Sequence, residues 1–139
     1  MNFTNLDQCC ILEKMGVDPE TADCYMLWVG GENRTRVTQI QIIPEGKTYK
    51  DIQSEYSSCK PAWSAYALMK LLPDSIEIWD DDAGRHGKKE TCYLNIIPGD
   101  SIAYETLEMK QLISRPIDKD VIGETILILS TVKKLTKTL

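Results

Sequence analysis

The apolar residues of this chain change period several times, and no single period holds for long. The longest apolar-rich stretch, Ile122 to Leu129, is interrupted by Gly123, Glu124 and Thr125. A membrane helix needs about 20 apolar residues in a row, so this pattern predicts none. The chain must bury many short elements against one another, and the order of helical and strand periods decides how.

Near the start, Leu6, Cys9, Cys10, Leu12 and Met15 recur at three- and four-residue spacings, which is one face of a helix. Thr4, with Asp7 three residues on, is read as its cap. Gly16 stops it, and Asp18-Pro19 opens a turn. Cys24 to Val29 is a short apolar run that predicts a buried strand. Gly30-Gly31-Glu32-Asn33 then predicts a turn, and Arg36 to Ile42 the returning strand of a hairpin. Pro44-Glu45-Gly46 ends that strand, and Tyr49, Ile52 and Tyr56 suggest a short helix over Thr48 to Ser57.

Pro61 suits the first turn of a further helix, where its missing N–H costs nothing. Trp63, Tyr66, Ala67, Met69 and Leu71-Leu72 would form that helix's apolar side, with Pro73 ending it. Ile76 and Ile78 predict one strand, and Cys92, Leu94 and Ile96 another. Pro98-Gly99-Asp100 turns the chain into a fifth strand over Ile102 to Leu107. Asp118 or Asp120 caps a last helix whose apolar stripe runs from Val121 to Leu135. Lys133, Lys134 and Lys137 complement the dipole at its C-terminal end. Helices mixed with antiparallel hairpins, without regular βαβ alternation, predict an α+β fold. It is expected as one domain over residues 1–139, with about three helices including one at each end.

Composition narrows the function classes. The chain has 139 residues, 42% hydrophobic and 27% charged, with a net charge of −5. That is a globular balance, and its sign disfavours non-specific binding to nucleic acid. The start of the chain has no positive region followed by an apolar run, so no signal peptide is expected and the expected location is the cytoplasm. Five cysteines, none paired at C-x-x-C spacing, read as free thiols and mostly as core residues.

The densest charge cluster runs from Asp80 to Glu90. Counted from Asp80 as an EF-hand loop, Arg85 takes the place of the required glycine and Thr91 that of the final glutamate, so the calcium pattern fails. His86 is the lone histidine. It sits between Arg85 and Gly87 on a polar tip, a poor place for a general base that needs a rigid, oriented setting. Glu77-Ile78-Trp79 lacks the lysine of a nuclease-like Glu-x-Lys, whereas Glu108-Met109-Lys110 has that form. Neither phosphate-binding glycine motif is present. No cofactor, metal or catalytic residue is assigned.

Two segments carry a resemblance. One is Leu6-Asp7-Gln8, Leu12 and Gly16-Val17-Asp18-Pro19-Glu20-Thr21-Ala22-Asp23. The other is Pro61-Ala62-Trp63-Ser64-Ala65-Tyr66-Ala67-Leu68 with Leu71-Leu72-Pro73. Together they resemble small uncharacterised proteins from phages and mobile elements of gut Bacteroidetes, in which a leucine stands where this chain has Ala65. The resemblance implies a genomic setting and a shared fold, and it brings no activity or site residues.

The leading expectation is therefore a non-enzymatic accessory or protein-interaction domain. Its expected partner is a protein, and its expected surface lies around Trp79, Asp80, Asp82, Arg85, His86 and Lys88. The alternative is a small carboxylate- or metal-dependent enzyme, or a nucleic-acid-processing protein, in which Asp80, Asp82, Glu105 or Glu108 converge in a cleft. A third reading, DNA binding through Arg85, Lys88 and Lys89, ranks below both.

Overall fold

The structure, a computed structural model, describes residues 3–31, 34–56, 58–79 and 89–136; the side chains of 28–31, 34–39, 79 and 136 lie outside that description. The fold is α+β; the described residues form two antiparallel sheets and four α-helices, one of them near each end of the chain. The chain divides into two compact units, Met1–Met69 and Lys70–Leu139.

In the first unit, α1 (Leu6–Lys14) is followed by a 3₁₀ turn (Pro19–Thr21), β1 (Cys24–Gly31), β2 (Arg34–Ile42), α2 (Tyr49–Glu55) and β3 (Cys59–Ala62), and α3 (Ala65–Lys70) begins at its end. The sheet order is β2-β1-β3, all antiparallel. The cap of α1 differs from the sequence expectation. Asn5 is the N-cap and Gln8 its partner, each side chain bonding the other's backbone N–H at 2.9 Å. Thr4 is instead fully buried. Its N–H donates to Trp63 O at 2.9 Å and its Oγ1 accepts from Trp63 N at 3.0 Å. A hydroxyl that ties two distant segments together is not free to cap the next helix.

The Pro61 segment is a second correction. Cys59 to Ala62 is the strand β3, and the helix begins only at Ala65, capped by Ser64, whose Oγ accepts from Ala67 N at 3.2 Å. Proline is tolerated there because β3 is an edge strand. Trp63 therefore precedes the helix rather than lining it, and Tyr66 is 67% exposed. Gly30 and Gly31 continue β1, paired with Thr35 and Arg34, while Glu32 and Asn33 lie outside the described residues.

In the second unit, β4 (Ser75–Trp79), β5 (Lys89–Ile97), β6 (Ser101–Glu105) and β7 (Gln111–Pro116) form a four-stranded meander, and α4 (Val121–Thr136) packs on β4 and β7. On β5 the period of two is plain. Cys92 is buried and Leu94 and Ile96 half-buried, whereas Thr91, Tyr93, Asn95 and Ile97 are exposed. Ile76, Ile78, Ile102, Tyr104 and Ile113 complete the buried side with Ile122, Ile126 and Leu129 of the helix. Arg115 forks onto Glu124 of α4, with Nη2 to Oε1 at 3.0 Å. That hydrogen-bonded pairing holds the Glu124 carboxyl below its ordinary value. Tyr104 donates its hydroxyl to Pro73 O at 2.7 Å, and burial pushes its pKa up.

Asp120 caps α4 by accepting from Gly123 N at 2.9 Å. Strand β7 has no counterpart in the sequence reading. Its six residues, Gln-Leu-Ile-Ser-Arg-Pro, lack clean alternation because the register with β6 slips after Tyr104, leaving Leu112 without a partner.

Candidate interaction site

The residues singled out in the sequence divide into three groups. Trp79 closes β4, its backbone paired with Lys89. Its side chain, and all of Asp80, Asp82, Arg85, His86 and Lys88, lie outside the described residues. Cys92 is a core residue of β5. Of the two remaining carboxylates, Glu105 is held by amides: its Oε1 accepts from Gln111 Nε2 at 3.0 Å and from Asn95 Nδ2 at 3.3 Å. Among the described residues no three His, Cys, Asp or Glu side chains come together as metal ligands would.

The two segments of the resemblance do meet. Ser64 donates its N–H to Asp23 Oδ1 at 2.8 Å and its hydroxyl to Asp23 Oδ2. Trp63 Nε1 donates to Thr21 Oγ1 at 3.0 Å, and Thr21 Oγ1 donates to Asp18 O at 2.6 Å. Cys24, beside Asp23, is buried, and desolvation together with the neighbouring carboxylate pushes its thiol up to about 12. The indole of Trp63 is fully buried; a ring of that size removes roughly 200 Å² from water, about 5 kcal/mol. These contacts make a latch between the 3₁₀ turn and the approach to α3. Its groups are spent on one another.

The second unit offers a surface of another kind. Strand β5 extends beyond β6, whose pairing with it ends at Tyr93 and Glu105. The β6–β7 turn, residues 106–110, diverges from β5 there. Between them lies an open concavity of about 370 Å³ lined by Glu90, Thr91 and Tyr93 of β5 and by Thr106, Leu107, Glu108 and Lys110 of the turn. Glu90 Oε2 on its wall is shut from water, and no donor reaches it among the described residues.

The turn itself is tightly tied. Met109 N donates to Thr106 O at 2.8 Å, Thr106 N to Lys110 O at 3.0 Å, and Lys110 N to Thr106 Oγ1 at 3.2 Å. Met109 has φ 65°, in the left-handed region, where three-residue hairpin loops ordinarily place glycine. A side chain there costs about 1–2 kcal/mol. Yet Met109 is 76% exposed and Leu107 83% exposed, so little burial within the chain offsets that cost. The result is an apolar tip on a rigid hairpin.

The sequence pattern carries the fifth strand to Leu107, and Glu108 to Lys110 stands out there only as a charge pattern. A glycine or asparagine at position 109 would have signalled the turn; methionine gives no such signal. No protein-family model, curated protein or solved structure matches the chain.

Proposed function

We propose that this chain is a non-enzymatic protein-interaction module that docks through the β6–β7 tip and the concavity beside it. An accessory role of this kind suits the phage or mobile-element setting that the resemblance implies. One observation carries the reading: Leu107 and Met109 are held out on a hydrogen-bonded turn, with Met109 in a backbone conformation that opposes its having a side chain. Strain of that sort in a place where packing does not require it points to a use outside the chain. Each apolar side chain, once covered by a partner, contributes about 1.5–3 kcal/mol. A turn that is already ordered loses little entropy on docking.

The test compares the immobilised chain with its Leu107→Ser/Met109→Gly variant in host lysate. A protein retained by the first and lost from the second, with both chains equally folded by circular dichroism, supports the reading. Identical retention by the two, or none by either, contradicts it.

A second reading has one observation in its favour. Glu90 and Glu108 line the same concavity, as a carboxylate-dependent enzyme or nucleic-acid-processing protein would require. It predicts that magnesium or manganese binds and that Glu90→Gln/Glu108→Gln abolishes that binding. Calorimetry showing no heat of binding for either ion would remove it.

A further inference from the structure

We propose that Met109 is an oxidant-sensitive modification site, at which hydrogen peroxide transfers one oxygen atom to the thioether and so withdraws the apolar tip from docking. The selectivity stands on the placement of sulfur in the chain; the loss of docking rests on the function proposed above.

Among the described sulfurs, most are shielded. Cys9, Cys24 and Cys92 are buried, and a thiol must ionise to react quickly with peroxide. Desolvation pushes all three away from the thiolate. Cys10 and Cys59 are partly covered, and the Cys59 thiol lies 3.6 Å from the Tyr49 hydroxyl, to which it donates. Met26 is 1% exposed, and Met15 and Met69 are partly covered. Met109 alone of these is mostly exposed, on a turn whose hydrogen bonds keep it there. A thioether needs no ionisation, so exposure governs its rate.

In the reaction a sulfur lone pair attacks one peroxide oxygen. The O–O bond breaks, an S–O bond forms, and the second oxygen leaves as water after taking up the proton of the first. Sulfur loses two electrons and peroxide gains them. The product is polar and chiral, unfit for an apolar pocket, and methionine sulfoxide reductase returns it to the thioether.

The experiment treats the intact chain with limiting hydrogen peroxide at neutral pH and follows each methionine and cysteine by peptide mass. The peptide containing Met109 is expected to gain one oxygen severalfold faster than those containing Met15, Met26 or Met69. Faster oxidation of Met15, Met26 or Met69 overturns the proposal. Retention of a partner by wild type, by oxidised wild type and by Met109→Leu then tests the consequence. Oxidation should abolish retention by wild type and spare the leucine variant. If Met109 oxidises first but retention survives, the switch is overturned while the docking reading stands. If wild type retains nothing before oxidation, the docking reading and the switch fall together and the modification site remains.

Discussion

Replacing Asp23 by alanine removes the acceptor for two donors at once. The Ser64 N–H, 2.8 Å from Oδ1, and the Ser64 hydroxyl both lose their partner, and Ser64 is 8% exposed, so water does not readily replace the carboxylate. A hydrogen bond to a charged group contributes about 1.5–3 kcal/mol, and a stranded buried N–H costs a similar amount. The two bonds share one carboxylate and are not additive, so the expected loss is about 3 kcal/mol. For a chain of this length that lowers the melting temperature by roughly 10 °C. Asp23→Asn keeps a neutral acceptor for the N–H and should lose about half as much. Ser64→Ala removes the hydroxyl bonds to Asp23 and Ala67, and in a double-mutant cycle with Asp23→Ala it should show a coupling of about 1–2 kcal/mol. Urea denaturation followed by tryptophan fluorescence measures the wild type and all four variants. If Asp23→Ala changes stability by less than about 0.5 kcal/mol, the value typical of an uninvolved surface site, the latch is not what holds these segments together.

Further outcomes follow from the same contacts. Met109→Gly relieves the left-handed strain and should raise stability by about 1 kcal/mol; a loss in the urea midpoint would show that the methionine packs on something within the chain. Asp120→Ala should cost about 1 kcal/mol, whereas Gly123→Ala should be nearly neutral, since its Cβ meets the Asp120 carboxylate and displaces the cap it improves upon in helix propensity. In the Gly123→Ala background the cost of Asp120→Ala should therefore vanish, and strict additivity in thermal melts would contradict that geometry. Stability should also fall in alkali. The unfolded Cys24 thiol ionises near about 8.5, whereas in the fold it is pushed up to about 12 by burial and Asp23. The contribution is therefore complete below the lower value and is lost as pH rises through the upper one. Each such group steepens the fall by up to about 1.4 kcal/mol per pH unit, and Tyr49 and Tyr104, also raised by burial, act in the same direction. A urea midpoint unchanged between about pH 8 and pH 11 would refute this.

Much of the architecture could be read from hydrophobic period and turn residues. Cys92, Leu94 and Ile96 alternate because one side of β5 is covered and the other is not. Gly16, Gly46 and Gly99 mark turns because each takes a positive φ. The reading failed where a residue served a tertiary contact against its local preference. Thr4 looked like a cap but was needed at Trp63, and Pro61 looked like a helix start but lies on a strand edge that donates nothing at that position. The candidate site was hidden for a sharper reason. A left-handed methionine at position 109 breaks the rule by which turns are recognised, and the shape of the concavity depends on where β6 stops pairing with β5, which no local pattern encodes. The surface expected around Asp80 to Lys88 lies outside the described residues.

The affinity of a captured partner for wild type and for Leu107→Ser, measured by titration calorimetry, tests the docking claim most directly. Loss of one buried leucine contact should weaken binding by about 1.5–3 kcal/mol, which is roughly a ten- to hundredfold rise in Kd. A Kd that the substitution leaves unchanged would place the partner elsewhere on the molecule and contradict the claim that the β6–β7 tip is its docking surface.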